Sequence, residues 1–218
     1  MSPTSGPRIL SVSVVHALIV DPVGSIGRTA IDKRPVDGIV RVEELGVVGD
    51  TVLDRANHGG LDKAVYAYAV EDLAFWESQL GRPLAHGTFG ENLTTEGLDV
   101  TGAVIGERWE IDGSGTEPVV VEVSMPRTPC VTFQAWMDEQ HWVKRFTDHG
   151  APGAYLRVLV EGRVEAGAAV RVVHRPEHGV TIGEVFSARH ADPDRLRLLL
   201  DQPHLAPELV RTVSRFAL

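Results

Sequence analysis

The sequence predicts a mostly β protein with inserted helices, of α+β class: a β-barrel domain over residues 1–175 followed by a three-helix segment over 176–218. Three observations predict it. The first two-thirds of the chain is a series of short, β-branched runs broken by glycine and proline. These runs do not alternate regularly with helical patterns, as the strands of a parallel sheet would. From about His178 the style changes to apolar stripes at helical spacing.

In chain order, Arg8 to His16 alternates and is rich in β-branched residues, and Gly38 to Glu43, Ala64 to Tyr68, Ile105 to Ile111, Val119 to Ser124, Tyr155 to Val160 and Ala168 to Val173 repeat that style. The Gly/Ser-rich stretch Asp112 to Glu117 and the polar stretch Glu161 to Gly167 read as turns between them. Many short strands at uneven spacing favour an antiparallel barrel or folded sheet. Val70 to Leu80 places Leu73, Trp76, Glu77 and Leu80 on one helical stripe that Gly81 stops, and His141 to His149 groups Trp142, Val143 and Phe146 before Gly150. In the tail, Ile182, Val185 and Phe186 form one stripe, Asp192-Pro193 opens a second helix with Leu196, Leu199 and Leu200, and Pro207 opens a third with Leu209, Val210, Val213 and Phe216. Arg175 to Gly179 is the linker. Forty residues without a disulfide or metal are marginal alone, so the tail is expected to pack on the barrel or on a second subunit, as in a homodimer.

Composition narrows the function. With 43% apolar content, 218 residues suit one large domain, or one domain with a small appendage. Thirty acidic against 21 basic side chains give a net charge of -9, which disfavours a nucleic-acid partner. No run approaches the roughly 18 apolar residues of a membrane span, and Met1 to Arg8 lacks the pattern of a signal peptide, so a cytoplasmic protein is expected. The single cysteine, Cys130, excludes an internal disulfide framework and an iron–sulfur cluster held by four thiolates of this chain.

Candidate chemistry gathers in three loops. In Pro126-Arg127-Thr128-Pro129-Cys130, Thr128 can cap a helix, Pro129 suits its first position, and Val131, Phe133, Trp136 and Met137 continue it. Cys130 would then be the second helical residue, where backbone N–H groups and Arg127 favour a thiolate. A small buried hydrophobe is the other reading of a lone cysteine. In Asn57-His58-Gly59-Gly60-Leu61-Asp62-Lys63, the paired glycines allow close backbone approach and Lys63 offers a cation, which suits an anion-binding loop or simply a tight turn. In Phe89-Gly90-Glu91-Asn92-Leu93, Asn92 can donate and accept at a heterocycle edge. Arg28, Lys33 and Arg34 form a basic cluster that reads as a hairpin edge, or as an anion site if it converges with Lys63 and Arg127.

These loops, together with Gly49-Asp50, Ile105-Gly106 and Val123-Ser124, resemble in this order the bacterial stand-alone members of the MOSC domain family, over roughly residues 10–175. The tail is similar to the three-helix segment of the subgroup that reduces hydroxylaminopurines. The resemblance implies a MOSC-type β-barrel that binds the molybdenum cofactor (molybdopterin), with Cys130 as the protein ligand to molybdenum, and it also carries pyridoxal phosphate binding as a family property. It implies reduction of N-hydroxylated compounds, such as hydroxylaminopurines and amidoximes, to amines or amidines. Electrons would come from a separate flavin or iron–sulfur protein. On this resemblance Arg127 and Thr128 sit beside the cofactor, Lys33 and Lys63 meet its phosphate, and His58, Gly59, Gly60 and Asn92 line the pocket. A non-catalytic carrier of cofactor or sulfur, and a metal-free thiol enzyme using Cys130, are the alternatives.

Overall fold

The computed structural model describes residues 6–54, 58–115 and 117–217. Asn57, at the start of the Gly-Gly motif, and Thr116 lie outside the described residues. Eleven strands are present among them: β1 Arg8–Val20, β2 Arg28–Pro35, β3 Val40–Glu43, β4 Gly46–Val47, β5 Val65–Ala69, β6 Leu93–Glu96, β7 Arg108–Ile111, β8 Val119–Pro126, β9 Ala154–Val160, β10 Gly162–Val164 and β11 Val170–His174. Eight of them form one sheet in the order β11-β7-β8-β9-β5-β6-β1-β2, and β10-β3-β4 form a small second sheet. The α+β class stands, but the sheet is not closed into the barrel the sequence suggested. The start of β1, next to the β2 edge, meets the segment before β11 at the other edge through the isolated bridge Arg8–Ala169 and the backbone bonds from Ile9 N to Ala168 O, Gly167 N to Ile9 O and Val170 N to Pro7 O. The thirteen-residue β1 has register shifts at Ile9/Ser11, Val15/Ala17 and Ala17/Ile19, which bend it between its two partners.

Every residue of β5 is buried, as a strand covered on both faces requires. It runs straight into helix α1 (Val70–Leu80), which returns the chain to β6, and β5–β6 is the one parallel pair among the described strands. As expected, α1 ends at Gly81 in the left-handed conformation, with Leu73 and Trp76 buried. Helices α2 (Val131–Met137) and α3 (Trp142–His149) supply Phe133, Trp142 and Phe146 to an aromatic core around Phe89, with ring centroids 5.2, 5.7 and 5.8 Å from it. Edge-to-face contacts of this kind each add about 0.5–1.5 kcal/mol beyond burial.

Helices α4 (Ile182–Phe186), α5 (Pro193–Arg197) and α6 (Pro207–Ala217) form the tail. It is stitched to the sheet side by backbone bonds: Ile105 N donates to Val180 O, Ile182 N to Ala103 O and Gly183 N to Thr101 O. Thr181 and Glu184 make a reciprocal capping box at α4, and Glu184 also pairs with Arg195 of α5 at 2.6 Å. In the linker Arg175 reaches the buried Glu107 at 2.7 Å.

One carboxyl in this frame is held uphill. Asp72, near the start of α1, is raised to about 6 by burial and by the neighbouring Asp99 and Glu71 charges, against one hydroxyl donor, Thr101. A folded-state pKa above the unfolded value means that the native state binds the extra proton. Stability from this group is therefore full below pH 3.8 and is lost as pH rises to about 6. Asp72→Asn is expected to raise stability by about 1–2 kcal/mol at pH 7.5 and to change it little at pH 4. Urea unfolding at both pH values checks this, and equal effects would refute it.

Candidate functional site

The cleft holds about 890 Å3 of empty space, mouth included, and draws its walls from β2, the 49–54 loop, the 58–64 turn, the loop before β6, and the segment between β8 and α2. Cys130, Arg127, His58, Lys33, Lys63 and Asn92 all line it, so one cavity unites residues spread from position 33 to position 130. Asp21, Arg28, Asp50, Asp54, Tyr66 and Tyr155 are further polar members of the wall.

Cys130 departs from expectation in its backbone. It is the N-cap of α2, with extended φ and ψ of -126° and 172°, and the helix begins at Val131. The helix starts two residues later than a Thr128 cap with Pro129 in the first position predicts. No side-chain hydrogen bond caps the helix, which leaves Sγ out of the capping interaction. The thiol is half-buried and packs against the edge of the core. On the next turn Thr132 donates its hydroxyl to Asp21 Oδ2 at 2.6 Å, tying α2 to the opposite wall of the cleft.

Arg127 is buried, at 5% exposure. Its guanidinium carbon lies 3.8 Å from the Phe133 ring centroid and 5.7 Å from that of Tyr66, a stacked arrangement that suits a planar, weakly hydrated cation. Nη1 is buried with no hydrogen-bond partner among the described residues. An unpaired buried donor costs about 1–3 kcal/mol, more when charged, so this atom favours an acceptor supplied from outside the chain.

The two lysines are held differently. Lys33 Nζ donates to Asp50 Oδ2 at 2.6 Å, and Asp50 is itself pinned by Val15 N at 3.0 Å and Asn92 Nδ2 at 2.8 Å. Lys63 follows the tight turn that Gly60 opens at φ 90°. Its Nζ meets Glu208 Oε2 of α6 at 2.6 Å and lies 5.6 Å from the Tyr155 ring centroid. His58 Nδ1 is 3.3 Å from Tyr155 Oη. Burial first, and then the Arg127 charge, lowers the His58 pKa and favours a neutral ring. Tyr155 is pushed up to about 12 by burial, against the pull of Arg127.

Asn92 lines the cleft and bonds to the protein there: Oδ1 accepts from Tyr66 N, and Nδ2 donates to Ser13 O and Asp50. It spaces β1 from β5 and sets Asp50 in place. Two sequence-based placements differ. Thr128 is exposed and, with Pro129, lines a separate groove with Met125, Val143, Phe186 and Leu209. Gly59 and Gly60 do not line the cleft; they shape the turn that presents Lys63.

Sequence reading missed Asp21, Thr132, Tyr66, Tyr155 and Glu208 as cleft or cleft-edge residues. Only pairing across strands and the docking of the tail bring them there. Glu91, buried beside the cleft, accepts from the backbone N–H groups of Gly87 and Phe89 and fixes the Phe89-Gly90 wall. His174, His178 and His204 meet in a second cavity beside the tail, but both ring nitrogens of His178 are engaged, by Ile105 O and Val180 N. No cluster of three or more His, Cys, Asp or Glu among the described residues can hold a metal ion.

The fold and this cleft define a class of protein: a sheet-based scaffold in which one cleft joins a half-buried thiol, a buried arginine and two ion-paired lysines. The MOSC domain model matches residues 54–171, more than half of the chain, and the chain belongs to the MOSC domain family. It is 37% identical over 174 residues to YflK of Bacillus subtilis (strain 168), covering 80% of this chain and 76% of YflK. The crystal structure of YiiM from Geobacillus stearothermophilus superposes with a TM-score of 0.77 at 27% identity, covering 97% of this chain and 100% of that one. A longer protein of Gibberella moniliformis (strain M3125 / FGSC 7600), named a reductase, is 28% identical over 178 residues, which are 80% of this chain and 31% of that protein. No helix among the described residues is long and apolar enough to cross a membrane.

Proposed function

We propose that this protein is a molybdenum-cofactor-dependent oxidoreductase that reduces N-hydroxylated compounds, such as hydroxylaminopurines and amidoximes, to amines or amidines. The observation that carries the reading is the pairing, in one cleft, of the Cys130 thiol with the buried Arg127 guanidinium whose Nη1 has no partner. The residues fit the cofactor. A soft thiolate suits molybdenum, and a cofactor that arrives with its own sulfur ligands does not need the three-residue cluster this chain lacks among its described residues. Arg127, Lys63 and Lys33 would face its phosphate and pterin oxygens, and Cys130 would be the protein ligand. When bound, the cofactor supplies the two-electron chemistry.

The chain's own residues bind, orient and hold protons. Reduction of R–NHOH to R–NH2 and water consumes two electrons and two protons, the electrons coming from a separate flavin or iron–sulfur protein. Tyr155 Oη and His58 Nδ1, 3.3 Å apart, keep one exchangeable proton within the cleft. Ile26, Ile31, Val52 and Leu53 give an apolar wall suited to a flat aromatic substrate. The name of the Gibberella relative agrees with a reductase, although most of that longer protein lies outside the shared region.

The test is expression in a molybdate-fed host, metal analysis, and turnover of benzamidoxime or 6-hydroxylaminopurine with a chemical reductant. About one molybdenum per chain, with reduction above buffer, is the expected result. Retained metal with no turnover would make the protein a carrier, and a metal-free preparation with thiol-dependent turnover would make it a thiol enzyme.

A further inference from the structure

The two cleft lysines differ in how firmly their counter-ions are held. Asp50 accepts from Lys33, from Asn92 and from the backbone of Val15, so it cannot leave without breaking the β1–β5 spacing. Glu208 comes from another part of the chain, on the first turn of α6, with a half-exposed side chain whose bond is to Lys63. The tail also holds the same turn a second time: Arg157 donates to His204 O while it pairs with Asp62. Glu208 lies in the neighbouring groove and reaches Lys63 from there, close enough for its charge to act on His58 and Tyr155 of the cleft.

We propose that Glu208 is a displaceable counter-ion of Lys63. A phosphate-class anion binding in the cleft takes the ammonium from Glu208 and loosens the seat of α6, so the helical tail and the occupancy of the cleft are coupled. The inference rests on the proposed cofactor reading only in taking the cleft as an anion site. Competition for one ammonium lowers affinity for the incoming anion, and by linkage the anion weakens the tail contact to the same degree. The partly exposed pair is a weak competitor, which keeps the effect moderate.

Pyrophosphate binding by calorimetry, at one fixed low salt concentration, tests this in the full chain. Glu208→Gln should bind pyrophosphate about three- to tenfold more tightly than wild type, and Lys63→Gln should bind it at least about tenfold more weakly. In wild type, saturating pyrophosphate should speed amide exchange at the start of α6, and in Glu208→Gln the anion should leave that exchange unchanged. Equal affinity of wild type and Glu208→Gln, unchanged exchange in wild type, or no pyrophosphate binding by either protein would overturn the proposal. Molybdenum content measured on the same wild-type preparation reports separately on the cofactor reading, so either idea can fail while the other stands.

Discussion

Cys130→Ala is expected to lower molybdenum retention to less than about a tenth of the wild-type level and to abolish reduction of N-hydroxylated substrates, while the protein stays folded. The thiol makes no capping bond and sits half-buried at the edge of the core, so its removal deletes little packing. A loss of about 1 kcal/mol follows from the small volume removed, which for a domain of this size shifts Tm by roughly 2–4 °C. Cys130→Ser separates ligation from space, because the hydroxyl nearly fills the site but is a hard, weakly acidic donor. Both variants should lose metal together. Metal at the wild-type level in either, read by elemental analysis of purified protein with unchanged circular dichroism, would remove Cys130 from the site.

Asp50→Ala should be the most destabilising single change within the cleft, by about 3–5 kcal/mol, because it strands the Lys33 ammonium, the Val15 N–H and one Asn92 N–H in a largely buried place. Against a total stability of about 5–15 kcal/mol that is a large fraction. The double variant Asp50→Asn with Lys33→Met removes both charges and keeps an acceptor for Val15, and it should recover most of the loss. Urea unfolding of the variants decides the matter. If Asp50→Ala costs less than about 1 kcal/mol, the network does not hold the cleft wall.

Much of this was legible before any coordinates. The loops around Lys63, Asn92 and Cys130 were marked by glycine, proline and charge, and they do surround one cleft. The tail's helices were readable from the stripe Ile182, Val185 and Phe186 and from the start signals Asp192-Pro193 and Pro207. What was lost is non-local. Whether the sheet closes depends on how its edges meet, and the few backbone contacts between Pro7–Ile9 and Gly167–Val170 leave no mark in either segment. The strand Leu93–Glu96 was hidden because its residues overlap a motif that reads as a loop. The Thr128-Pro129 start signal is a sound local rule, yet the helix begins at Val131. Asn92 is legible as a versatile hydrogen-bonding group, but its partners Tyr66, Ser13 and Asp50 are set by the three-dimensional arrangement.

Lys63 and its partner Glu208 are 145 positions apart. A ribosome therefore releases the basic half of this contact 145 residues before the acidic half, and the Lys63 turn is made before its tail partner exists. The pair closes a loop that spans most of the large sheet, so its formation waits on the docking of the tail.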